Sequence, residues 1–368
     1  MTAPHFDPDT VIRLVGDAVT APSMHNAQPW KFVFHVGSGA LALYGDPDRA
    51  MPRTDPDHRS LHLGCAAALF NLRVSAARNG LPVRVRLLPD DAEPWLLATV
   101  TIDETADTDR ESASLHEAIR RRHTSRYPFS EEPVPTALLD GLWTAARLEG
   151  CRLTVPDTWH IDTVLGLVRD AEHREWIDPL ARAETMAWTA PTPSAPDTRR
   201  DGIPPTAFGP RAAGGPTPVR DFGRPGPIPD RGWAVFEKRP QLALLSTERD
   251  TRADWLRAGQ AMERVLLQAT ADGLATSMTS HPLEWPELRW TARDPVAAMG
   301  HVQMVFRLGY GPAGPDTPRR PLTEVLEIRD QAVSRRAGLG RQDPKETAQP
   351  RVAAWSGTAV CRSLDGRR

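Results

Sequence analysis

Apolar positions recur at helical spacing in six stretches and alternate in most of the segments between them. Residues 9–20 place Val11, Leu14, Val15 and Ala18 on one face, with Asp9 or Thr10 able to cap the start and Pro22 ending the run. Residues 31–36 and 41–44 read as two strands joined at Gly37-Ser38-Gly39. Asp55-Pro56-Asp57-His58-Arg59 opens a long helix with Leu61, Ala68, Leu69, Leu72 and Ala76 as its apolar positions, and Asn79-Gly80 closes it. Val83, Val85 and Leu87 alternate, as do Ala98, Val100 and Ile102, which predicts two more strands. Residues 103–114 are polar and read as a linker. Leu115, Ala118 and Ile119 mark a helix that ends near Arg122. Helices follow over 135–148, 161–176 and 252–271, with strands over 151–155 and 302–308. Beyond Ile328 the chain is polar without an apolar period, which predicts a disordered tail.

Two of these helices resemble each other. At an offset of 193, Arg59 falls on Arg252, Leu63 on Leu256, Ala68 on Ala261, Leu72 on Val265, Val74 on Leu267 and Ala76 on Ala269. Asn79-Gly80-Leu81 falls on Asp272-Gly273-Leu274. Each of the two precedes an apolar strand, so the chain reads as two related halves.

Residues 189–232 break the pattern, with 11 Pro and 7 Gly in 44 positions. That composition excludes a regular core element. Ile203, Phe208, Val219, Phe222 and Ile228 are scattered through it as apolar anchors, which favours a docked lid over a passive surface insertion.

Charge and cysteine content exclude several function classes. A formal net charge of −2 gives no reason to expect a nucleic-acid or membrane-surface partner. Cys65, Cys151 and Cys361 are an odd, widely spaced set that suits a reducing compartment. There is no basic-then-apolar leader and no apolar run long enough to span a membrane, so a cytoplasmic protein is expected. His58 and His62, four apart, fit a helix start better than a metal site, since no third ligand stands out.

Two polar stretches carry the candidate chemistry. Arg120-Arg121-Arg122-His123-Thr124-Ser125-Arg126 combines guanidinium groups with hydroxyls at a helix end, the donor set that a phosphate takes. The same residues also suit a solvated basic helix end. Pro22-Ser23-Met24-His25-Asn26-Ala27-Gln28-Pro29-Trp30 puts several side-chain hydrogen-bond formers on one loop, suited to a flat heteroaromatic ring. Neither a dinucleotide-binding glycine fingerprint nor a phosphate-binding Walker loop occurs.

Together the two stretches resemble the flavin site of the nitroreductase family, and their reversed order resembles its Acg-like branch. The likeness covers residues 8–328 or so. It implies an α+β fold of two halves, each an antiparallel-rich sheet flanked by helices, in which one chain mimics the family's homodimer. The halves would be 1–110 and 111–328, the second carrying the insertion at 189–232, with a tail over 329–368. The implied cofactor is FMN. Arg122, His123, Thr124 and Arg126 match the phosphate motif, with Arg319 and Arg320 as a further basic pair. Ser23, His25, Asn26 and Gln28 match the ring loop. Gly273 and Leu274, with Thr276, Ser277 and Met278 after them, resemble the segment beside the reactive edge. Only one complete pair of motifs is present, hence one flavin per chain. The implied activity is electron transfer from NAD(P)H to nitro, quinone or similar small acceptors, with no catalytic acid or base from the protein. The alternative is a flavin-holding protein with a closed site and little turnover.

Overall fold

Asp7 accepts the Thr10 amide and Pro8 occupies the first turn, so the first helix begins at Pro8. The computed structural model describes residues 6–189, 200–214, 219–222, 231–295 and 300–330. In the first half α1 (Pro8–Ala18) is followed by β1 (Trp30–His35), β2 (Ala40–Gly45), α2 (Arg59–Arg78), β3 (Val83–Leu87) and β4 (Leu96–Ile102). Two short helices, α3 (Arg110–Ser114) and α4 (His116–Arg121), lead into the second half. There α5 (Thr136–Leu148) and β5 (Arg152–Thr154) precede α6 (Thr158–Ile177), α7 (Pro179–Thr189) and the short pair β6 (Arg211–Ala212) and β7 (Trp233–Ala234). Then come β8 (Gln241–Thr247), α8 (Arg252–Ala271), β9 (Ala275–Thr279), α9 (Pro286–Thr291) and β10 (His301–Gly309). Finally α10 (Leu322–Val325) leads to β11 (Leu326–Arg329).

The fold is α+β with antiparallel-rich sheets, as expected. One sheet has the order β11-β1-β2-β4-β3 and the other β5-β8-β10-β9. Without α6, α7, α9 and the β6–β7 pair, each half runs helix, strand, strand, helix, strand, strand. Within each sheet the strands of one half lie in the order first, second, fourth, third, all antiparallel. The exception is β11, which follows the second half in sequence but pairs in parallel with β1 of the first.

One core serves both halves. It runs from Leu14, Phe32 and Leu69 through α2 and α8 to Leu142, Leu256 and Phe306. Of the 20 residues of α2, all but Arg73 and Arg78 are buried. A helix apolar on every side lies inside a protein rather than on its face, and α2 is covered by α8 on one side and by α1 and its own sheet on others. Contact with α8 is close. A Cβ at Gly259 would meet the Leu63 carbonyl oxygen at 2.4 Å and Ala66 Cβ at 2.6 Å.

Several expectations are corrected. The expected linker at 103–114 ends in α3, because Asp109 accepts the amide and the hydroxyl of Ser112 and starts a helix at Arg110. The sequence reading missed α7 and β8. The Leu242–Leu245 run of β8 is buried on both faces and therefore shows no alternation. His62 is engaged at both ring nitrogens, by the His58 carbonyl and the Arg252 guanidinium. Ile228 and the tail beyond Asp330 lie outside the described residues. No described helix is long and apolar enough to cross a membrane.

Gly259→Val, where α8 approaches α2, should destabilise the fold by about 1–3 kcal/mol through overpacking. At Gly141 of α5 a Cβ meets nothing within 4 Å, so Gly141→Ala should stabilise by up to about 1 kcal/mol. Urea unfolding of both variants checks this, and equal midpoints would mean that the helices do not depend on that approach.

Candidate functional site

A cleft opens where the loop after α1, the chain after α4 and strand β9 converge on the α2–α8 pair. It encloses about 1100 Å³, counted out to its open mouth. Ten of the residues singled out in the sequence line it: Ser23, His25, Asn26, Arg122, His123, Thr124, Arg126, Ser277, Met278 and Arg319. Gln28, Thr276 and Arg320 stand behind its wall.

The loop over Ser23–Gln28 is strained. His25, Asn26 and Gln28 have φ of 49°, 56° and 52°, a left-handed conformation that costs non-glycine residues of order 1–3 kcal/mol each. Hydrogen bonds from distant segments hold it there. Ser23 Oγ accepts the Gln28 amide at 2.9 Å. The Asn26 side chain donates to the Gly202 and Pro318 carbonyls at 3.0 Å and accepts from Arg319 at 3.1 Å. Gln28 donates to the Arg200 carbonyl and accepts the Arg320 amide, both at 2.8 Å. These bonds put Gln28 in a supporting position. They do the same for Arg320, whose guanidinium turns back to the Gln28 carbonyl and to Glu324.

Three arginines converge at the other end. Arg122 and Arg319 both donate to the Thr20 carbonyl in the turn after α1, at 3.2 and 2.8 Å. Arg126 donates to the Ala207 carbonyl at 2.8 Å and lies 5.0 Å from the centre of the Phe222 ring. Burial lowers Arg126 and Arg319 to about 10, which leaves both charged at neutral pH. His123 is held below the usual histidine range by burial and by Arg122. Its Nε2 lies 3.0 Å from Asp316.

The chain after α4 is fixed by its neighbours. The Ser125 amide donates to the Thr276 carbonyl at 2.8 Å, so Thr276 positions the segment from behind. A Cβ at residue 314 would come within 2.1 Å of the Thr124 carbonyl oxygen, which requires glycine there. Beyond Arg126, the fully buried Arg307 of β10 is clamped to Glu237 and donates to the Tyr127 carbonyl at 3.0 Å.

Sequence reasoning missed a buried polar cluster in the wall. Arg220, from the Pro/Gly-rich insertion, reaches Glu175 of α6 at 2.7 Å, Thr185 of α7 at 3.1 Å and His25 Nε2 at 3.2 Å. Glu284 lies 3.5 Å away from it. His281 Nε2 is 3.1 Å from Glu175, close in distance but poorly aligned for a hydrogen bond. Burial and Arg220 push His281 down to about 4 despite that carboxylate. Burial, with Arg220 beside it, also drives His25 well below its usual value. Both rings are therefore neutral at pH 7. With Nε2 of His25 accepting from Arg220, its proton sits on Nδ1, a buried donor without a protein acceptor among the described residues. Glu284 is raised to about 7 by burial. The insertion's Ile203, Val219 and Phe222 line the same cleft, and Ile203, Ala207, Phe208 and Phe222 pack together above it.

The donor set suits a phosphate-bearing heteroaromatic ligand. Guanidinium groups cluster at one end, and a polar loop meets α2 so closely that a Cβ at Gly64 would lie 3.1 Å from Ser23 Cβ. The Arg122 Nε, His25 Nδ1 and Ser60 Oγ atoms are buried without hydrogen-bond partners among the described residues.

The nitroreductase family model matches residues 119–310. A Mycobacterium tuberculosis protein provisionally named NAD(P)H nitroreductase Rv3131 is 33% identical over 338 residues, covering 90% of this chain and 95% of its own length. A second from the same organism, provisionally named NAD(P)H nitroreductase acg, is 31% identical over 341 residues, covering 87% of this chain and 96% of its own. Among solved structures, the FMN-dependent nitroreductase NfnB of Mycobacterium smegmatis in complex with NADPH is 16% identical, covers 58% of this chain and 96% of its own, and has a TM-score of 0.36. The family model takes in the arginine segment, α8 and β9, while the two relatives extend the match over nearly the whole fold. The chain belongs to the nitroreductase family.

Proposed function

We propose that this chain is an FMN-dependent oxidoreductase that carries electrons from NAD(P)H to nitro, quinone or similar small acceptors. The observation that supports it most is convergence. The arginine end, the polar loop and β9 line one cleft although they lie far apart in sequence. The relatives' provisional names point to NAD(P)H as the donor. The flavin-holding alternative with little turnover is the less favoured reading.

In this reading Arg122, Arg126 and Arg319, with the Thr124 hydroxyl, hold the phosphate. Its charge near −2 is offset by two or three guanidinium groups. Ser23, His25 and Asn26 set the ring's orientation, Gln28 and Arg320 brace that loop, and Thr276 braces the segment with Ser277 and Met278 beside the reactive edge. When bound, FMN supplies the redox chemistry, taking a hydride and passing electrons on. The shared strand order of the two sheets supports a single chain that mimics a dimer, with one flavin per chain. The buried thiols Cys65 and Cys151 fit a reducing compartment, the cytoplasm. The insertion acts as a lid, since Ile203, Val219, Arg220 and Phe222 close one side of the cleft.

Flavin extracted from purified protein should be FMN at close to one per chain; FAD, no flavin or two per chain would defeat the reading. Arg122→Ala with Arg126→Ala should weaken FMN binding at least tenfold and riboflavin binding little, because hydrogen bonds to charged groups contribute roughly 1.5–3 kcal/mol each. Equal losses for both ligands would place these arginines elsewhere. Loop closure depends only weakly on length, so a short Gly/Ser linker in place of residues 189–232 should leave both main sheets folded, while it removes the Arg200 and Gly202 carbonyls that brace the Ser23–Gln28 loop and the Arg220 partner of Glu175. The shortened protein should then be reduced faster by NAD(P)H and lose FMN faster on dilution. Unchanged rates would remove the lid.

A further inference from the structure

Behind the arginine end of the cleft lies a carboxyl that the proposed function does not use. Glu263, midway along α8, is fully buried. Its Oε1 is 3.4 Å from Arg122 Nε. Neither Glu263 oxygen, nor that nitrogen, has a well-formed hydrogen bond among the described residues. The pair is thus a charge contact that has not closed into a hydrogen-bonded bridge, and the guanidinium's own anchor is the Thr20 carbonyl.

Arg122 dominates the surroundings of Glu263. Arg319, on the C-terminal segment, acts more weakly on Glu263 and also donates to the carbonyls of Val19 and Thr20. From α2 comes the neutral Asn71. Asp17 of α1 is turned to Ser75 and His116. Arg264, next to Glu263 on α8, is closed on Glu111 and Glu149. Arg307 of β10 is closed on Glu237.

We infer that Glu263 competes with the ligand's phosphate for Arg122, so that binding of FMN in this cleft takes up a proton at Glu263. Ionised, the carboxylate neutralises Arg122 and repels an incoming phosphate through it. Protonated, it leaves the full charge of the guanidinium to the ligand. Burial outweighs the pull of Arg122 and holds the carboxyl up at about 7, which puts the exchange in the neutral range. A phosphate arriving on Arg122 adds negative charge nearby and raises the carboxyl further. Affinity therefore falls as pH rises above 7.

The inference rests on the reading of the cleft as an FMN site, and its test separates the two. FMN titrates on its own near pH 6, with the dianion binding better, so its trend runs in the opposite direction. Glu263→Gln keeps the shape without the charge and supplies that background. FMN affinity of the flavin-stripped full chain is measured by fluorescence quenching from pH 6 to 9 for both proteins. Binding heats at pH 7.5 are measured in two buffers of different ionisation enthalpy. Between pH 7 and 8.5 the parent should lose about fivefold or more in affinity relative to Glu263→Gln. Its heats should report uptake of most of one proton. If the variant fails to fold, the buffer-dependent heats of the parent decide together with those of His123→Asn, because His123 also faces Arg122 and would itself take up a proton beside a phosphate. FMN binding with parallel pH curves and equal heats in both buffers overturns the inference and leaves the FMN site standing. Absence of FMN binding at every pH overturns the proposed function and this inference with it.

Discussion

The approach of α8 to α2 is the constraint on which the rest depends. At Gly259 the two backbones come so near that a methyl group would strike the Leu63 carbonyl. That spacing seats Leu63 and Gly64 of one helix and Met262 of the other in the floor of the same cleft. A looser pair would still bury apolar surface, but it would separate the polar loop, which rests on α2, from the arginine segment, whose Arg122 faces Glu263 of α8. Packing and recognition are in this sense one requirement.

At the two ends of the cleft the chain bears opposite kinds of cost. The Ser23–Gln28 loop carries backbone strain and is held by side-chain amides that bond to segments nearly the whole chain away. The arginine end carries like charges close together, and the Thr20 carbonyl just after α1 and Glu263 keep them tolerable. Neither arrangement stabilises the fold by itself. Strain and crowded charge that persist under tight support are characteristic of sites shaped for a ligand.

The sequence made the local parts of this site legible. Arg122, His123, Thr124 and Arg126 fall within five positions, and Ser23 to Gln28 within six, so their chemistry can be read without a fold. Helix periodicity located α2 and α8 and their likeness, and the common strand order of the two sheets agrees with it. Direction was not legible. Nothing in the Arg319-Arg320 pair says that one side chain enters the cleft while the other turns back on Gln28. Arg220, Glu175 and His281 were also invisible, since each is isolated in sequence and gains its meaning from helices that meet only on folding. The same holds for Glu263, which reads as one more charge on an amphipathic helix until the structure shows it fully buried.

The return of β11 to the first sheet bears on the order of events during synthesis. Gln28 and the Arg320 amide that braces it are 292 positions apart, and β1 gains its last neighbour only when residues 326–329 emerge. Until those residues emerge, a nascent chain carries the Ser23–Gln28 loop without the partners that hold its conformation, and β1 with an unpaired edge. Unpaired strand edges favour association with other chains. Protection of that edge is therefore needed until the segment over 326–329 has emerged.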